Sequence, residues 1–110
     1  MNWERVEVTA GTRVIRQGDP GDRFYIVTRG RLAVEVDGRV MATLSDGDQF
    51  GEIALLRNVP RTATVTAIEP TELLALGRDA FLAAVTGSRP SSIRVNELVD
   101  RRLDELGRDE

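Results

Sequence analysis

The chemically most versatile residues of this chain lie between Phe50 and Thr64. Within that stretch, Glu52 and Arg61 are nine residues apart, and Pro60 directly precedes the arginine. An ionised glutamate only accepts hydrogen bonds, which suits a sugar hydroxyl, whereas a guanidinium offers a planar fork to a phosphate. The pair is suited to a ribose phosphate. The alternative interpretation is a surface ion pair.

The backbone around these two residues adds to the same chemistry. Gly51 lets the chain leave a strand without steric restriction, and residues 52–56 suffice for one helical turn. The first N–H groups of such a turn have no intrahelical partner and can bond an anion. Pro60 stiffens the return of the chain before Arg61. The sequence therefore predicts a phosphate cradle with a hydroxyl acceptor beside it.

Composition excludes several other functions. The 110 residues contain no cysteine and no histidine, which removes most zinc and iron sites and nearly every catalytic triad. An all-carboxylate Mg²⁺ or Ca²⁺ site and a carboxylate pair stay compatible with this composition, but we expect no enzyme, no metal site and no cofactor. All 15 basic residues are arginine and the net charge is −3, so nucleic acid is not an expected partner. No run approaches about 18 apolar residues and no signal peptide is recognisable, which predicts a cytoplasmic protein without a membrane segment.

Short β-branched or alternating runs, separated by turn residues, fill the first three quarters of the chain. Asp37-Gly38 between two such runs predicts a hairpin. Pro20-Gly21 suits a type II turn with a positive φ at the glycine. This spacing favours a single domain over residues 1–110, with an antiparallel sandwich or barrel over about 3–77, closed so that no edge is exposed. The predicted strands are 3–8, 12–16, 24–28, 32–36, 39–44, 48–50, 62–68 and 72–76.

The last quarter of the chain changes to a helical period. A helix is predicted over about 78–86, with Gly87 after its end, and a second over about 91–106. The second carries an apolar stripe, which packs on the barrel, folds over a ligand or forms the seam of a homodimer. These three alternatives do not exclude one another. The stripe consists of Val95, Val99, Leu103 and Leu106.

The run FGEIALLRNVPRTATVTA, residues 50–67, resembles the phosphate-binding cassette of cyclic nucleotide-binding domains. The earlier runs GDPGDRFYIVTRG and LSDGDQFGE are similar to turns of the same family. The resemblance covers about residues 4–105. It implies a mainly β fold with C-terminal helices: an antiparallel double-stranded β-helix, or jelly-roll, barrel with a short cassette helix and a C-terminal lid helix. It also implies cAMP or cGMP as the ligand.

The resemblance carries site residues over to this chain. Glu52 is expected to accept the ribose 2′-OH and Arg61 to bind the cyclic phosphate. The other members of the expected site are Gly51, the backbone N–H groups of Ile53, Ala54 and Ala63, the hydroxyl of Thr62, and Val34 and Met41 along the base. The last two are equally well interpreted as core residues.

Two departures from the family pattern affect the predicted function. The first strand begins almost at Met1, and no helix-turn-helix follows the last helix. We therefore expect one regulatory domain of a larger protein, whose output lies in an effector domain or a partner protein. Two other functions stay open. One is an interaction module that has lost nucleotide binding, and the other is a cupin-like enzyme, which the absence of histidine disfavours.

Overall fold

The computed structural model describes residues 3–85, which form eight strands and two helices. The predicted helix at 91–106, its apolar stripe and Gly87 lie outside the described residues. In chain order the elements are β1 (Glu4–Val8), β2 (Arg13–Ile15), β3 (Arg23–Arg29), β4 (Leu32–Val36), β5 (Arg39–Leu44), β6 (Gln49–Phe50), α1 (Glu52–Arg57), β7 (Thr64–Ala67), β8 (Thr71–Gly77) and α2 (Arg78–Val85).

The strands form two antiparallel sheets. Sheet 1 has the order β1-β8-β3-β6 and sheet 2 the order β2-β7-β4-β5, which is the arrangement of a jelly roll. The predicted mainly β, antiparallel fold is confirmed. The predicted closure is not observed, because within residues 3–85 the two sheets share no strand pair. Two of the four edge strands are very short, with three residues in β2 and two in β6.

Sheet 1 is covered on both faces. Phe24 and Ile26 of β3 pack on one face beneath α1 and α2, where the rings of Phe24 and Phe81 of α2 are tilted by 32° with their centroids 4.8 Å apart. Tyr25 and Val27 point to the other face, into the core between the sheets. Because successive side chains of a strand alternate between faces, a strand buried on both faces needs a continuous apolar run. The FYIV of β3 and the LLAL of β8 meet that need.

One predicted turn is confirmed and another is wrong. Asp37 and Gly38 both have positive φ, 52° and 81°, as a type I′ hairpin turn requires, and they join β4 to β5. Gly21 is not among the residues with positive φ, so the predicted type II turn is not formed. The left-handed residue of this loop is Gly18, whose N–H donates to the Arg61 carbonyl at 2.8 Å.

Helix α1 is the short cassette helix that the sequence predicts. Gly51 precedes it at φ 96° and Asn58 ends it at φ 52°, both in the left-handed region. Leu55 buries against the α-helical side of sheet 1, together with Phe24 and Phe81. This apolar contact holds α1 on sheet 1.

Candidate ligand-binding site

A cavity of about 190 Å³ opens between the α1–β7 segment and the inner face of sheet 2. Eight of the nine predicted site residues line it, and Met41 does not. The eight are Gly51, Glu52, Ile53, Ala54, Arg61, Thr62, Ala63 and Val34. The structure thus brings together a glutamate, an arginine and apolar side chains at one opening.

Arg61 is the most constrained charged residue of the cavity. It is only 5% exposed. Its Nη1 donates to the Gly51 carbonyl at 2.9 Å and its Nη2 to the Arg23 carbonyl at 2.8 Å. The main chain is equally fixed, because the Arg61 N–H donates to the Asp19 carbonyl at 2.7 Å. Both the side chain and the main chain are therefore held by hydrogen bonds, and two of the five guanidinium donors are used.

The charge of Arg61 is not neutralised by an ion pair in the described part of the chain. The ion pairs among residues 3–85 are Arg5–Glu72 and Arg23–Glu4. Burial lowers the pKa of the Arg61 guanidinium, and the charges of Tyr25, Asp22 and Glu52 oppose that shift. The surface ion pair between Glu52 and Arg61, the alternative interpretation of the sequence, is not formed.

Two buried side-chain oxygen atoms of the cavity lining have no hydrogen-bond partner. Glu52 begins α1, and its Oε2 is buried with no hydrogen-bond partner. Gln49, another residue of the cavity lining, has a buried Oε1 that also lacks a partner. Buried polar atoms are almost always hydrogen-bonded in folded proteins. An unpartnered acceptor beside an unpaired cation suits a ligand that brings both hydroxyl donors and negative charge.

The remaining cassette residues differ in exposure. Ala54 is 3% exposed and packs into the protein, whereas Ile53 is 44% exposed at the rim of the cavity. Thr62 is exposed and Ala63 half-buried in the bend between Arg61 and β7. No side chain caps the N-terminus of α1. The backbone along this edge of the cavity is therefore free of competing side-chain hydrogen bonds at the helix start.

The hairpin residues Val34 and Met41 occupy different environments. Val34 is half-buried and lines the cavity. Met41 is 65% exposed and falls in a β-bulge, because Val34 pairs with Ala42 and Glu35 with Val40, which leaves Met41 without an opposite residue. A bulge re-aims side chains locally. The structure therefore does not bring Met41 to the cavity.

Five residues of the cavity lining were not predicted from the sequence. Four are apolar and come from strands that only the tertiary fold brings together. The inward positions of alternating runs could have indicated Ile15, Leu44 and Val65, but not Phe50. The fifth, Gln49, stands in a two-residue strand with no such pattern. The five are Ile15, Leu44, Gln49, Phe50 and Val65.

The family model of the cyclic nucleotide-binding domain matches residues 5–88, a span that contains the whole cavity lining. The chain therefore belongs to the cyclic nucleotide-binding domain family. The resemblance inferred from the run at residues 50–67 is confirmed by this match.

Two of the proteins similar to this chain are regulatory subunits of cAMP-dependent protein kinases. The cAMP-dependent protein kinase regulatory subunit of Yarrowia lipolytica is 49% identical over 76 residues, 67% of this chain and 20% of that protein. The subunit of Dictyostelium discoideum is 43% identical over 86 residues, which cover 71% of this chain and 26% of that protein. The solved regulatory domain of Toxoplasma gondii PKA with cAMP is 45% identical with a TM-score of 0.71, covering 74% of this chain and 33% of that one.

The chain spans only 20% and 26% of the two curated kinase subunits. Neither α1 nor α2 has the length and apolar character of a membrane span. Among the described residues, no three histidine, cysteine, aspartate or glutamate side chains come together as a metal site.

Proposed function

We propose that this chain binds cAMP in the cavity between α1 and sheet 2 and acts as the regulatory module of a larger protein. The observation that carries the proposal is the buried Arg61 guanidinium, which lines the cavity without an ion-pair partner in the described part of the chain. A buried cation is costly unless an anion and hydrogen bonds compensate it. A cyclic phosphate supplies both.

Glu52 provides the second element of recognition. Its unpartnered Oε2 accepts the ribose 2′-OH in the proposed complex, and this bond satisfies an acceptor that is otherwise buried without a partner. The backbone N–H groups of Ile53, Ala54 and Ala63 and the Thr62 hydroxyl are proposed as further phosphate donors. A sugar phosphate with a free 2′-OH thus fits better than an inorganic anion alone.

The size of the cavity bears on how the base is held. Pockets that enclose a drug-sized ligand measure about 300–1,000 Å³, and this cavity is smaller, at about 190 Å³. The ribose phosphate is therefore proposed to fill the interior, while the base extends toward the open side beside Val34. Both cAMP and cGMP are accommodated in this arrangement, with cAMP as the favoured ligand.

The proposed role is that of a sensor. The kinase regulatory subunits among the relatives support a chain that binds a nucleotide and changes its contact with an effector domain or partner protein. The proposal assigns no catalytic step, no metal and no cofactor to this chain. A cytoplasmic location, a single domain over residues 1–110 and a homodimer through the last predicted helix stay predictions from the sequence.

Thermal unfolding with and without ligand tests the proposal. A ligand at 100 times its Kd adds about 2.7 kcal/mol to the free energy of unfolding. For a domain of this size, each kcal/mol raises the melting temperature by about 4–8 °C. We expect cAMP in such excess to raise it by at least about 10 °C, and 5′-AMP, which lacks the cyclic phosphate, to raise it much less. No shift with cAMP or cGMP would favour the interaction module instead.

A further inference from the structure

Gly21 lies in the loop between β2 and β3 and is buried. It is not among the residues with positive φ, so its backbone conformation does not require glycine. A Cβ at this position would lie 2.5 Å from the Ala54 Cβ, 3.1 Å from the Arg61 Cζ and 3.2 Å from the Arg61 Nε. The space that a side chain would fill is therefore already occupied by α1 and by the guanidinium.

We propose that Gly21 is a positioning residue for ligand binding, which sets the location of the Arg61 guanidinium and of the start of α1. This inference rests on the proposed function. Neither neighbour can easily give way. The Ala54 Cβ has no side-chain torsion with which to move aside, and Arg61 is held by its bonds to the Gly51 and Arg23 carbonyls. A side chain at position 21 therefore displaces the cassette itself.

The loop that carries Gly21 also holds the main chain of Arg61. The Gly18 N–H donates to the Arg61 carbonyl at 2.8 Å, and the Arg61 N–H donates to the Asp19 carbonyl at 2.7 Å. The loop thus fixes Arg61 twice, by hydrogen bonds to its backbone and by the close approach of Gly21 to its side chain. Any shift that relieves a contact at position 21 strains these hydrogen bonds.

Positions 21 and 54 together accommodate one Cβ. The 2.5 Å separation is shorter than any ordinary contact between two carbon atoms, so a second methyl group forces α1 away from the loop. Removing the Ala54 methyl group eliminates the one contact under 3.0 Å among the three shortest, and the approaches of 3.1 and 3.2 Å to Arg61 need an adjustment of only a few tenths of an ångström. The geometry therefore predicts that Gly21→Ala is rescued by Ala54→Gly, which keeps the backbone N–H of residue 54.

The chain provides a matched control. Gly77, at the end of β8, has no atom within 4 Å of an added Cβ and no positive φ. Gly77→Ala makes the same chemical change as Gly21→Ala without a steric conflict. It lies outside the cavity lining, so it leaves binding unchanged if the account is correct.

Isothermal titration with cAMP tests the proposal on four proteins: wild type, Gly21→Ala, Gly21→Ala/Ala54→Gly and Gly77→Ala. Overpacking of this size weakens binding by about ten- to one-hundredfold in Gly21→Ala. The double variant is expected within about fivefold of wild type, and Gly77→Ala within about twofold. Circular dichroism at the titration temperature establishes that each protein is folded.

The affinity readout separates positioning from mere stability. A variant that remains folded binds with the affinity of its native state, so a purely structural role for Gly21 would lower the melting temperature and leave Kd unchanged. That result would overturn the proposal, as would a double variant that binds no better than Gly21→Ala. If Gly21→Ala does not fold, the double variant must fold and bind, and its failure would likewise overturn the proposal. A wild type that binds no cyclic nucleotide would overturn the proposed function and this inference with it, whereas an unchanged Gly21→Ala affinity overturns the inference alone.

Discussion

Replacing Glu52 with alanine is expected to separate the stability of the ligand-free domain from its affinity for cAMP. The buried Oε2 of Glu52 has no hydrogen-bond partner. An unsatisfied buried acceptor costs about 1–3 kcal/mol, and more if charged. The opposing effect is the loss of attraction to Arg61, and the charge of Glu52 is the weakest of the three that raise the pKa of that guanidinium. We therefore expect the free energy of unfolding of the ligand-free variant to equal that of wild type or to exceed it by up to about 2 kcal/mol.

Binding changes in the opposite direction. A hydrogen bond to a charged group contributes about 1.5–3 kcal/mol, which corresponds to about ten- to 150-fold in Kd. Thermal unfolding of the ligand-free proteins measures the first effect, where each kcal/mol equals about 4–8 °C. Isothermal titration with cAMP measures the second. The combination of unchanged or higher stability with weaker binding is the expected result.

The control removes an equal charge elsewhere. Glu69 lies on the exposed turn between β7 and β8, outside the cavity lining, so Glu69→Ala tests the long-range effect of one negative charge. It should leave Kd within about twofold of wild type. A loss of more than about 1 kcal/mol in the ligand-free Glu52→Ala protein would show that Glu52 stabilises the fold, and an unchanged Kd would remove it from the site.

Two further substitutions probe the phosphate side of the cavity. Arg61→Ala should weaken cAMP binding by about 2–5 kcal/mol, since it removes the charge partner of the phosphate. The control Arg57→Ala makes an equal change on the exposed end of α1 and should leave binding unchanged. Equal affinities of the two variants in cAMP titrations would refute the role of Arg61. Thr62→Ala should weaken cGMP several-fold and leave cAMP within about twofold, because a hydroxyl that accepts from the guanine 2-amino group is worth about 0.5–1.5 kcal/mol. Competition titrations that find equal losses for both nucleotides would restrict Thr62 to the phosphate.

Features with a local cause were predictable from the sequence. The hairpin at Asp37-Gly38 follows from two residues that tolerate positive φ, and both strands have their predicted bounds. The cassette helix follows from Gly51 and the apolar pattern after it. The mainly β fold follows from the spacing of turns. Each of these inferences depends on residues close together in the chain.

Features that depend on distant contacts were not predictable. The carbonyl partner of the Arg61 Nη2 belongs to Arg23, 38 positions away, and no local pattern indicates it. The sequence predicts a turn with a positive φ at Gly21, whereas the structure shows that α1 and Arg61 occupy the space that a side chain at this position would need. Met41 does not line the cavity, because a bulge changes the register within β5. Such a bulge depends on how two strands pair.

The central claim is that the Arg61 cavity binds a cyclic nucleotide, and isothermal titration of the chain with cAMP tests it most directly. The account predicts saturable binding of one cAMP per chain, retained in Arg57→Ala and lost or greatly weakened in Arg61→Ala. Absence of binding by the folded wild-type chain, or binding that Arg61→Ala leaves unchanged, would contradict the account.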